Sequence, residues 1–332
     1  MRASVIGLGA FGTALANTLA TRCEEVRAWA REPSVVEAIN GKRENRTYLP
    51  GIPVSPRVRA TPSLSEALAG SELVVLATPS HATRDVVKKA LPDLPAHVPL
   101  VTVAKGIENE TLMTMTQLLE DCLPEQYHPS IAILSGPSFA KEMAAGMPTV
   151  VTIASHFEKV AQKVQAALQT ESFRTYTSID VIGVEMGGAL KNVIAIAAGI
   201  ADGLGFGLNA RSALITRGLA EISRIAVAMG ANPLTLMGLS GLGDLVLTCT
   251  GDLSRNRRVG IELGKGRALE QVLGEMTQVA EGVRTARSAR DLSRKVGVEL
   301  PICDQVYAIM YEGKSPRRAV VELMTRAPKR ED

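Results

Sequence analysis

Residues 2–21 of the chain read RASVIGLGAFGTALANTLAT. The first five residues form a β-prone segment, residues 7–12 carry the pattern GxGxxG, and small and apolar residues at helical spacing follow. In a strand–turn–helix of this kind, Gly7 permits a tight turn, Gly9 lets a phosphate approach the backbone, and Gly12 allows the helix to pack closely on the strand. A purely structural turn is the alternative, because glycine-rich turns are frequent. The position between the first strand and the first helix favours dinucleotide binding, with the helix N-terminus facing the phosphates.

The end of the second predicted strand bears on the choice of cofactor. This strand, Glu25 to Trp29, is followed by Arg31 and Glu32, about twenty residues beyond the glycines. A carboxylate at this position binds the ribose 2′-hydroxyl of NAD, whereas an arginine can pair with the 2′-phosphate of NADP. Arg31 therefore favours NADP(H). Glu32 can still serve the hydroxyl, so NAD(H) remains an alternative.

Three later apolar runs predict buried parallel strands at Leu73 to Ala77, Pro99 to Val103 and Ile131 to Leu134. Since ligands of open α/β sheets bind at the carboxyl ends of strands, Lys105, which follows the second run, lies where a substrate can bind. Ser138, in the turn after the third run, lacks the GxSxG context of a nucleophilic serine. We expect this turn to contact the cofactor instead.

Beyond about Val181 the sequence contains helical patterns joined by glycine-rich turns, and no convincing strand. We therefore predict an α/β fold in which a sheet domain, residues 1–181, precedes an all-helical domain, residues 182–332. The length of 332 residues agrees with two domains. The predicted helices of the second domain are Val184 to Ala201, Ala210 to Met229, Asn256 to Gly264, Val283 to Lys295 and Ile302 to Tyr311.

One lysine of the second domain, Lys191, lies within an apolar, helix-like run from Gly187 to Ala201. Such a lysine either extends its stem to reach water or occupies a semi-buried pocket, where desolvation lowers its pKa and suits it to proton transfer. Taken alone, the first arrangement is the more common one. The choice between them depends on the rest of the chain.

Two polar segments follow Lys191. Asp244, after Gly241-Leu242-Gly243, provides a carboxylate on a predicted loop. Residues 254–258, SRNRR, concentrate cations and amide donors where a helix begins. This combination suits a phosphate, through charge-assisted hydrogen bonds and the helix N-terminus. A solvated basic helix start is the alternative.

Composition and charge exclude several classes of function. The chain is only 3% aromatic, which argues against a nucleic-acid binder that stacks bases, and its net charge of +3 is too small to imply a polyanionic partner. No uninterrupted apolar run reaches the ~18 residues of a membrane span, so we expect no membrane insertion. Four separated cysteines without CxxC, and no signal peptide, indicate reduced thiols in the cytoplasm. Neither cysteines nor histidines have the spacing of a metal site.

Six motifs, taken together and in order, resemble those of the bacterial NAD(P)-dependent sn-glycerol-3-phosphate dehydrogenases. They span nearly the whole chain and comprise residues 7–16 (GLGAFGTALA), 104–106 (AKG), 135–140 (SGPSFA), 190–195 (LKNVIA), 241–245 (GLGDL) and 254–258 (SRNRR). The resemblance implies a Rossmann-like, mostly parallel sheet domain followed by a helical domain. It also implies a homodimer and the reversible reduction of dihydroxyacetone phosphate to sn-glycerol 3-phosphate, which supplies glycerophospholipid synthesis.

The resemblance further implies roles for individual residues. Lys191 would be the catalytic proton donor and acceptor as hydride passes to C2 of the ketone. The residues that would line the substrate are Lys105, Gly136, Ser138, Lys191, Asp244, Ser254, Arg255 and Asn256. Those that would contact the cofactor are Gly7, Gly9, Ala10, Phe11, Gly12, Arg31, Lys105, Ala140, Arg255, Val279 and Glu281. Ala10 stands where many relatives place serine and Arg31 where some have histidine, which leaves the cofactor preference open.

Two other functions fit part of this constellation. A 3-hydroxyacid or 6-phosphogluconate-type dehydrogenase also joins a dinucleotide-binding domain to helices and uses a lysine, but it needs a carboxylate-binding pocket. Arg255 and Asn256 at a helix start suit a phosphate better. A non-catalytic NADP-binding sensor would keep the glycine turn but has no use for Lys191, Lys105 and Asp244 together. Turnover assays with each substrate distinguish the three.

Overall fold

One large sheet occupies the first half of the chain. The computed structural model describes residues 1–276, 278–328 and 330. The strands are β1 (Arg2–Ile6), β2 (Glu25–Trp29), β3 (Glu44–Asn45), β4 (Leu49–Pro53), β5 (Val58–Thr61), β6 (Leu73–Leu76), β7 (Leu100–Thr102), β8 (Ile131–Ser135), β9 (Thr149–Ala154) and β10 (Phe173–Ser178). β3 and β4 form a separate antiparallel pair, and the other strands form the eight-stranded sheet.

The order of the strands creates a crevice at one edge of this sheet. The order is β10-β9-β8-β7-β6-β1-β2-β5, and all neighbours are parallel except β8 and β9, where Leu134 lies opposite Ile153 in an antiparallel pair. Six neighbouring strands of this sheet, in the order β5-β2-β1-β6-β7-β8, have the arrangement of a doubly wound dinucleotide-binding fold. The winding direction reverses between β1 and β6. A ligand site is therefore expected beyond the carboxyl ends of these two strands.

Helices cover both faces of the sheet. They are α1 (Ala10–Ala20), α2 (Pro33–Lys42), α3 (Leu64–Leu68), α4 (Ser80–Ala90), α5 (Met115–Cys122), α6 (Ala140–Ala144) and α7 (Glu158–Leu168). Successive side chains of a strand point to opposite faces. Ala3 and Val5 of β1 accordingly join the core formed with α1 and α7, whereas Ile6 joins the core formed with α3, α4 and α5. The strands are apolar on both faces because both are covered.

The second half of the described chain is helical. Its helices are α8 (Val181–Gly203), α9 (Leu208–Ala228), α10 (Pro233–Leu236), α11 (Asp244–Thr250), α12 (Arg255–Gly264), α13 (Leu269–Gly274), α14 (Glu281–Val296), α15 (Pro301–Tyr311) and α16 (Pro316–Met324), with a π-helical turn at Leu239–Gly243. Buried residues of α8, α9, α11, α12, α14 and α15 share one core.

Helix α8 is at the centre of this half. It is mostly apolar and nearly all of its residues are buried, as expected of a helix enclosed by others. Glycines let α12 approach it closely: a Cβ at Gly199 would lie 2.1 Å from the Arg257 carbonyl oxygen, and one at Gly260 would lie 2.1 Å from the Ile196 carbonyl oxygen. By length and composition α8 could cross a membrane, but 94% of that stretch is buried inside the protein.

The predicted fold class is confirmed, because a Rossmann-like, mostly parallel sheet precedes helices. The five predicted helices are present with small differences at their ends, whereas the sequence does not anticipate α10, α11, α13 and α16. The boundary at residue 181 stays a prediction. The predicted second domain includes Thr277, Lys329, Glu331 and Asp332, which lie outside the described residues.

Candidate active site

The glycine turn after β1 has a backbone geometry that fits a phosphate. Gly7 has φ +115°, and a Cβ on it would lie 2.7 Å from the carbonyl oxygen of Ala77, directly after β6. A Cβ at Gly12 would lie 1.9 Å from the Gly7 carbonyl oxygen, so α1 packs tightly on the turn. A Cβ at Gly9 would meet nothing within 4 Å. Gly9 is the N-cap of α1 and no side chain caps that helix end, so its first N–H groups can bind an anion.

A buried aspartate joins the two predicted site lysines. The Asp244 carboxylate accepts a hydrogen bond from the Lys191 ammonium through Oδ1 and one from Lys105 Nζ, 2.7 Å away, through Oδ2. The side chains are 1% (Asp244), 7% (Lys191) and 16% (Lys105) exposed. Lys191 is thus a buried residue with partners rather than a lysine that reaches water along its stem. It also donates to Thr248 Oγ1 at 3.0 Å.

Burial and charge tune this cluster for proton transfer. Burial lowers the pKa of Lys191 to about 7; the Lys105 charge adds to this lowering, and Asp244 opposes it. Burial alone would raise the pKa of the Asp244 carboxyl, but the two ammonium groups hold it below its ordinary value. At neutral pH, Asp244 is therefore ionised, and Lys191 can both give and take a proton.

Three elements bring the cluster together. Lys191 lies in the middle of α8, Lys105 follows β7, and Asp244 is the first residue of α11. The prediction that Asp244 lies on a loop is therefore wrong. The two neighbouring glycines have low helix propensity, but the turn that contains them packs against α8, where a Cβ at Gly187 would lie 2.5 Å from the Ser240 carbonyl oxygen. This packing overrides the local propensity.

The turn after β8 supports Lys105. Lys105 Nζ donates to the Gly136 carbonyl oxygen at 2.9 Å, and the Ser138 hydroxyl donates to the same oxygen at 2.9 Å. Gly136 has φ +136°, a conformation that favours glycine. The predicted substrate residues Lys105, Gly136 and Ser138 are thus in one hydrogen-bonded group with Asp244.

An asparagine pair connects this group to α12 and α14. Asn192 Nδ2 donates to the Lys105 carbonyl oxygen at 3.4 Å, and Asn256 Nδ2 donates to Asn192 Oδ1 at 2.8 Å. The backbone N–H of Gly282 donates to Asn256 Oδ1 at 2.9 Å. Ser254 caps α12 by accepting from the Arg257 N–H at 3.2 Å.

The Arg255 side chain, unlike those of Ser254, Asn256 and Arg257, has no hydrogen-bond or ion-pair partner among the residues that the structure describes. It is exposed to solvent. The protein around it nevertheless lowers its pKa, an effect that Glu281 opposes. A guanidinium in a partly enclosed, accessible position at a helix start is suited to an anionic ligand.

The predicted cofactor contacts other than the three glycines, Lys105 and Arg255 lie at separate places in the fold. Glu281 begins α14, and its carboxylate accepts from the N–H (3.2 Å) and hydroxyl (2.5 Å) of Ser80 at the start of α4. The Arg31 side chain is 82% exposed and pairs with Glu32 at 2.8 Å. Val279 is 40% exposed. Ala10 and Ala140 begin α1 and α6, and with Phe11 they pack partly buried against the core of the sheet. Their roles as cofactor contacts stay predictions.

Two further residues contact the cluster or its neighbours and are not predicted from the sequence, Thr248 and Asn192. Thr248 lies four residues after Asp244 on α11, so both face Lys191; this spacing becomes informative only once α11 is known to be a helix. Asn192 lies beside Lys191 within the segment LKNVIA, but its partners Lys105 and Asn256 are distant in the chain.

Relatives match almost the full chain. The family model described as the NAD-dependent glycerol-3-phosphate dehydrogenase N-terminus matches residues 2–161, and the corresponding C-terminus model matches residues 180–321. The glycerol-3-phosphate dehydrogenase (NAD(P)+) of Myxococcus xanthus is 73% identical over 331 residues, which cover 100% of this chain and 99% of that relative. The enzyme of the same description from Anaeromyxobacter dehalogenans is 56% identical and covered completely, as is this chain.

A solved structure agrees with these matches. The crystal structure of glycerol-3-phosphate dehydrogenase from Coxiella burnetii has a TM-score of 0.93 and 36% sequence identity, over 98% of this chain and 99% of that chain. The chain therefore belongs to the NAD-dependent glycerol-3-phosphate dehydrogenase family.

Proposed function

We propose that this chain catalyses the reversible, NAD(P)H-dependent reduction of dihydroxyacetone phosphate to sn-glycerol 3-phosphate. Membership of the family supports the reaction. The observation that carries the assignment of residues is the buried cluster in which Lys191 and Lys105 share the carboxylate of Asp244. We place the proton-transfer step at Lys191 Nζ.

The open turn from Gly7 to Gly12 would hold the pyrophosphate of the cofactor, with the N-terminus of α1 contributing N–H groups. When bound, the nicotinamide supplies the hydride for ketone reduction and accepts it in the reverse direction. We propose NADP(H) as the preferred form, because the exposed Arg31 guanidinium is accessible to a 2′-phosphate. The ion pair between Arg31 and Glu32 would then have to break, so that the Arg31 guanidinium can bind the phosphate.

The cluster supplies charge and a proton where the substrate oxygen becomes negative. Two lysines and one aspartate give it a net charge of +1 when all are ionised, which stabilises a developing alkoxide at C2. The Lys191 ammonium donates its proton to that oxygen. In the reverse direction the neutral Lys191 amine takes the proton of the hydroxyl group. A pKa of about 7 suits both directions.

Arg255 and the start of α12 are the proposed site of the substrate phosphate. The guanidinium is free to form a bidentate pair, and the helix N-terminus adds partial positive charge. A substrate without a phosphate would leave this cation without a partner, which favours dihydroxyacetone phosphate over a hydroxyacid.

The test compares Lys191→Met with the matched exposed variant Lys89→Met. Lys191→Met removes the titrating amine but keeps an unbranched side chain. We expect the kcat of this variant to fall by about 10²–10⁴-fold. The dissociation constant for NADPH, measured by fluorescence, should not change, and Lys89→Met should resemble the wild type. The proposed reaction is refuted if the wild-type enzyme oxidises NADPH with a keto acid, which is reduced to a hydroxyacid, but not with dihydroxyacetone phosphate. Hydride transfer by Lys191→Met at nearly the wild-type rate would refute the role of Lys191.

A further inference from the structure

A buried acidic residue of α8, Glu185, contacts the start of α5. Its carboxylate accepts from the Thr116 N–H through Oε1 at 2.7 Å and from the Thr116 hydroxyl through Oε2 at 2.7 Å. Glu185 and Thr116 are 4% and 5% exposed. Thr116 is the second residue of α5, so the carboxylate binds one of the N–H groups that the helix itself leaves unpaired.

This contact lies at one end of the segment that carries Lys105. The segment runs from Lys105 to Thr116 and is held to α8 at both ends, because Asn192 donates to the Lys105 carbonyl oxygen at 3.4 Å and Glu185 binds Thr116. Within it, Ile107 and Thr114 form an isolated antiparallel bridge. The bridge pairs the backbone near Thr116 with the backbone near Lys105, which lies eleven residues earlier in the chain and closer to β7.

Glu185 does not touch the reacting cluster itself. It precedes Lys191 by six residues on α8, which separates the two by about 9 Å along the axis and about 120° around it. The two residues therefore use different sides of the same helix. Lys191 meets Asp244, while Glu185 binds the segment that delivers the second lysine to that aspartate.

We infer that Glu185 is a positioning residue of the reaction: its carboxylate holds the Lys105 segment against α8, so that Lys105 and Lys191 meet on Asp244. This inference rests on the proposed function. It assigns Glu185 a role beyond the stability that any satisfied buried carboxylate provides.

Glu221 offers a matched comparison for the purely structural role. It is also 4% exposed, and it binds the start of another helix by accepting from the N–H groups of Ile302 (2.7 Å) and Cys303 (3.4 Å) at α15. Burial raises the pKa of both carboxyls to about 7, against the effect of their hydrogen bonds. Among the described residues, however, Glu221 has no hydrogen bond to a segment that carries a residue of the cluster.

The experiment compares Glu185→Ala, Glu185→Gln and Glu221→Ala by steady-state kinetics and thermal unfolding. Small displacements of a catalytic group lower the rate of the reaction strongly, so Glu185→Ala should lower kcat by about 10–100-fold. The KM for NADPH should stay within about twofold of the wild-type value. Glutamine keeps an acceptor for the Thr116 N–H and a second polar atom for its hydroxyl, so Glu185→Gln should restore most of kcat. Glu221→Ala should lower the melting temperature to a similar extent and leave kcat unchanged below that temperature.

The pH dependence provides a readout that a loss of stability would not alter. The Lys105 charge lowers the pKa of Lys191, so displacement of Lys105 should raise that pKa. In Glu185→Ala the midpoint of the kcat profile for ketone reduction should therefore move to higher pH. Glu185→Gln and Glu221→Ala should keep the wild-type midpoint.

The outcomes separate this inference from the proposed function. An inactive wild-type enzyme refutes the function, whereas an active wild type with unchanged kcat and midpoint in Glu185→Ala refutes the positioning role alone. Equal losses of kcat in Glu185→Ala and Glu221→Ala would also refute it. If the alanine variants do not fold, Thr116→Val removes only the hydroxyl partner of Glu185. It should then lower kcat and raise the midpoint to a smaller extent, and a wild-type kcat and midpoint in Thr116→Val would overturn the inference.

Discussion

Replacing Asp244 by asparagine should move the pH dependence of catalysis to lower pH and affect the two reaction directions differently. Asp244 is the group that raises the pKa of Lys191 against burial and against the Lys105 charge. Asparagine keeps the shape but removes the negative charge. The Lys191 ammonium is then disfavoured, so its pKa must fall below the wild-type value of about 7.

The size of this effect follows from the geometry. Opposite charges about 4 Å apart attract by about 4 kcal/mol at an effective dielectric constant of 20. The amide oxygen of asparagine retains part of that interaction, so we take the net loss as about 2.7 kcal/mol, or two pKa units. With a pKa near 5, only about 1% of Lys191 is protonated at pH 7, against half in the wild type, and ketone reduction should be about 50-fold slower at that pH.

The assay measures kcat in both directions between pH 5 and pH 9, with the exposed Asp93→Asn as control. In the wild type, reduction should decline and oxidation should rise as the pH increases through about 7. In Asp244→Asn both midpoints should lie about two units lower, so oxidation is already at its plateau at pH 7 while reduction recovers toward pH 5. Equal losses in both directions with unchanged midpoints would show that Asp244 is structural and that Lys191 is not the titrating group.

Two further predictions concern the ligands. Arg255→Ala should raise the KM for dihydroxyacetone phosphate by about 10–150-fold, the equivalent of a charge-assisted contact of 1.5–3 kcal/mol, without affecting turnover of unphosphorylated dihydroxyacetone. Equal losses on both substrates would show that Arg255 does not bind the phosphate. Arg31→Asp should lower the ratio of kcat/KM for NADPH to that for NADH by at least about tenfold; an unchanged ratio means that Arg31 does not contact the 2′-phosphate.

The parts of the fold that could be predicted are those encoded by contiguous residues. The segment from Arg2 to Gly12 contains both the strand and the three glycines, and the structure places a turn and a helix start where the pattern predicts them. The apolar runs at β6, β7 and β8 are readable because strands buried on both faces are apolar throughout. The antiparallel pairing of β8 and β9 is not readable in this way, since strand direction leaves no mark on a fully apolar run.

The contacts of the candidate site could not be derived from spacing. Lys105 and Asp244 are 139 residues apart in the chain, and Lys191 and Asp244 are 53 apart. The resemblance to the glycerol-3-phosphate dehydrogenases implies a role for each of these residues. It does not imply that one carboxylate binds both lysines. The same limit explains Glu185, whose partner Thr116 lies 69 residues away. Periodicity predicts which helix a residue occupies, whereas the partner depends on how helices pack.

The burial of α8 inside the protein explains why Lys191 is found on this helix. An exposed lysine, with a pKa near 10.4, would be protonated at pH 7 to all but about one part in 2,500, which makes it a poor base for oxidation of the alcohol. Burial lowers the pKa, but an unpaired buried ammonium would destabilise the fold. Asp244 and Thr248 compensate this cost, and the Lys105 charge adds to the lowering of the Lys191 pKa that burial causes. In the proposed mechanism, Lys105 thus favours reversibility as well as stabilising the alkoxide, and we infer that its position depends on the contact between Glu185 and Thr116.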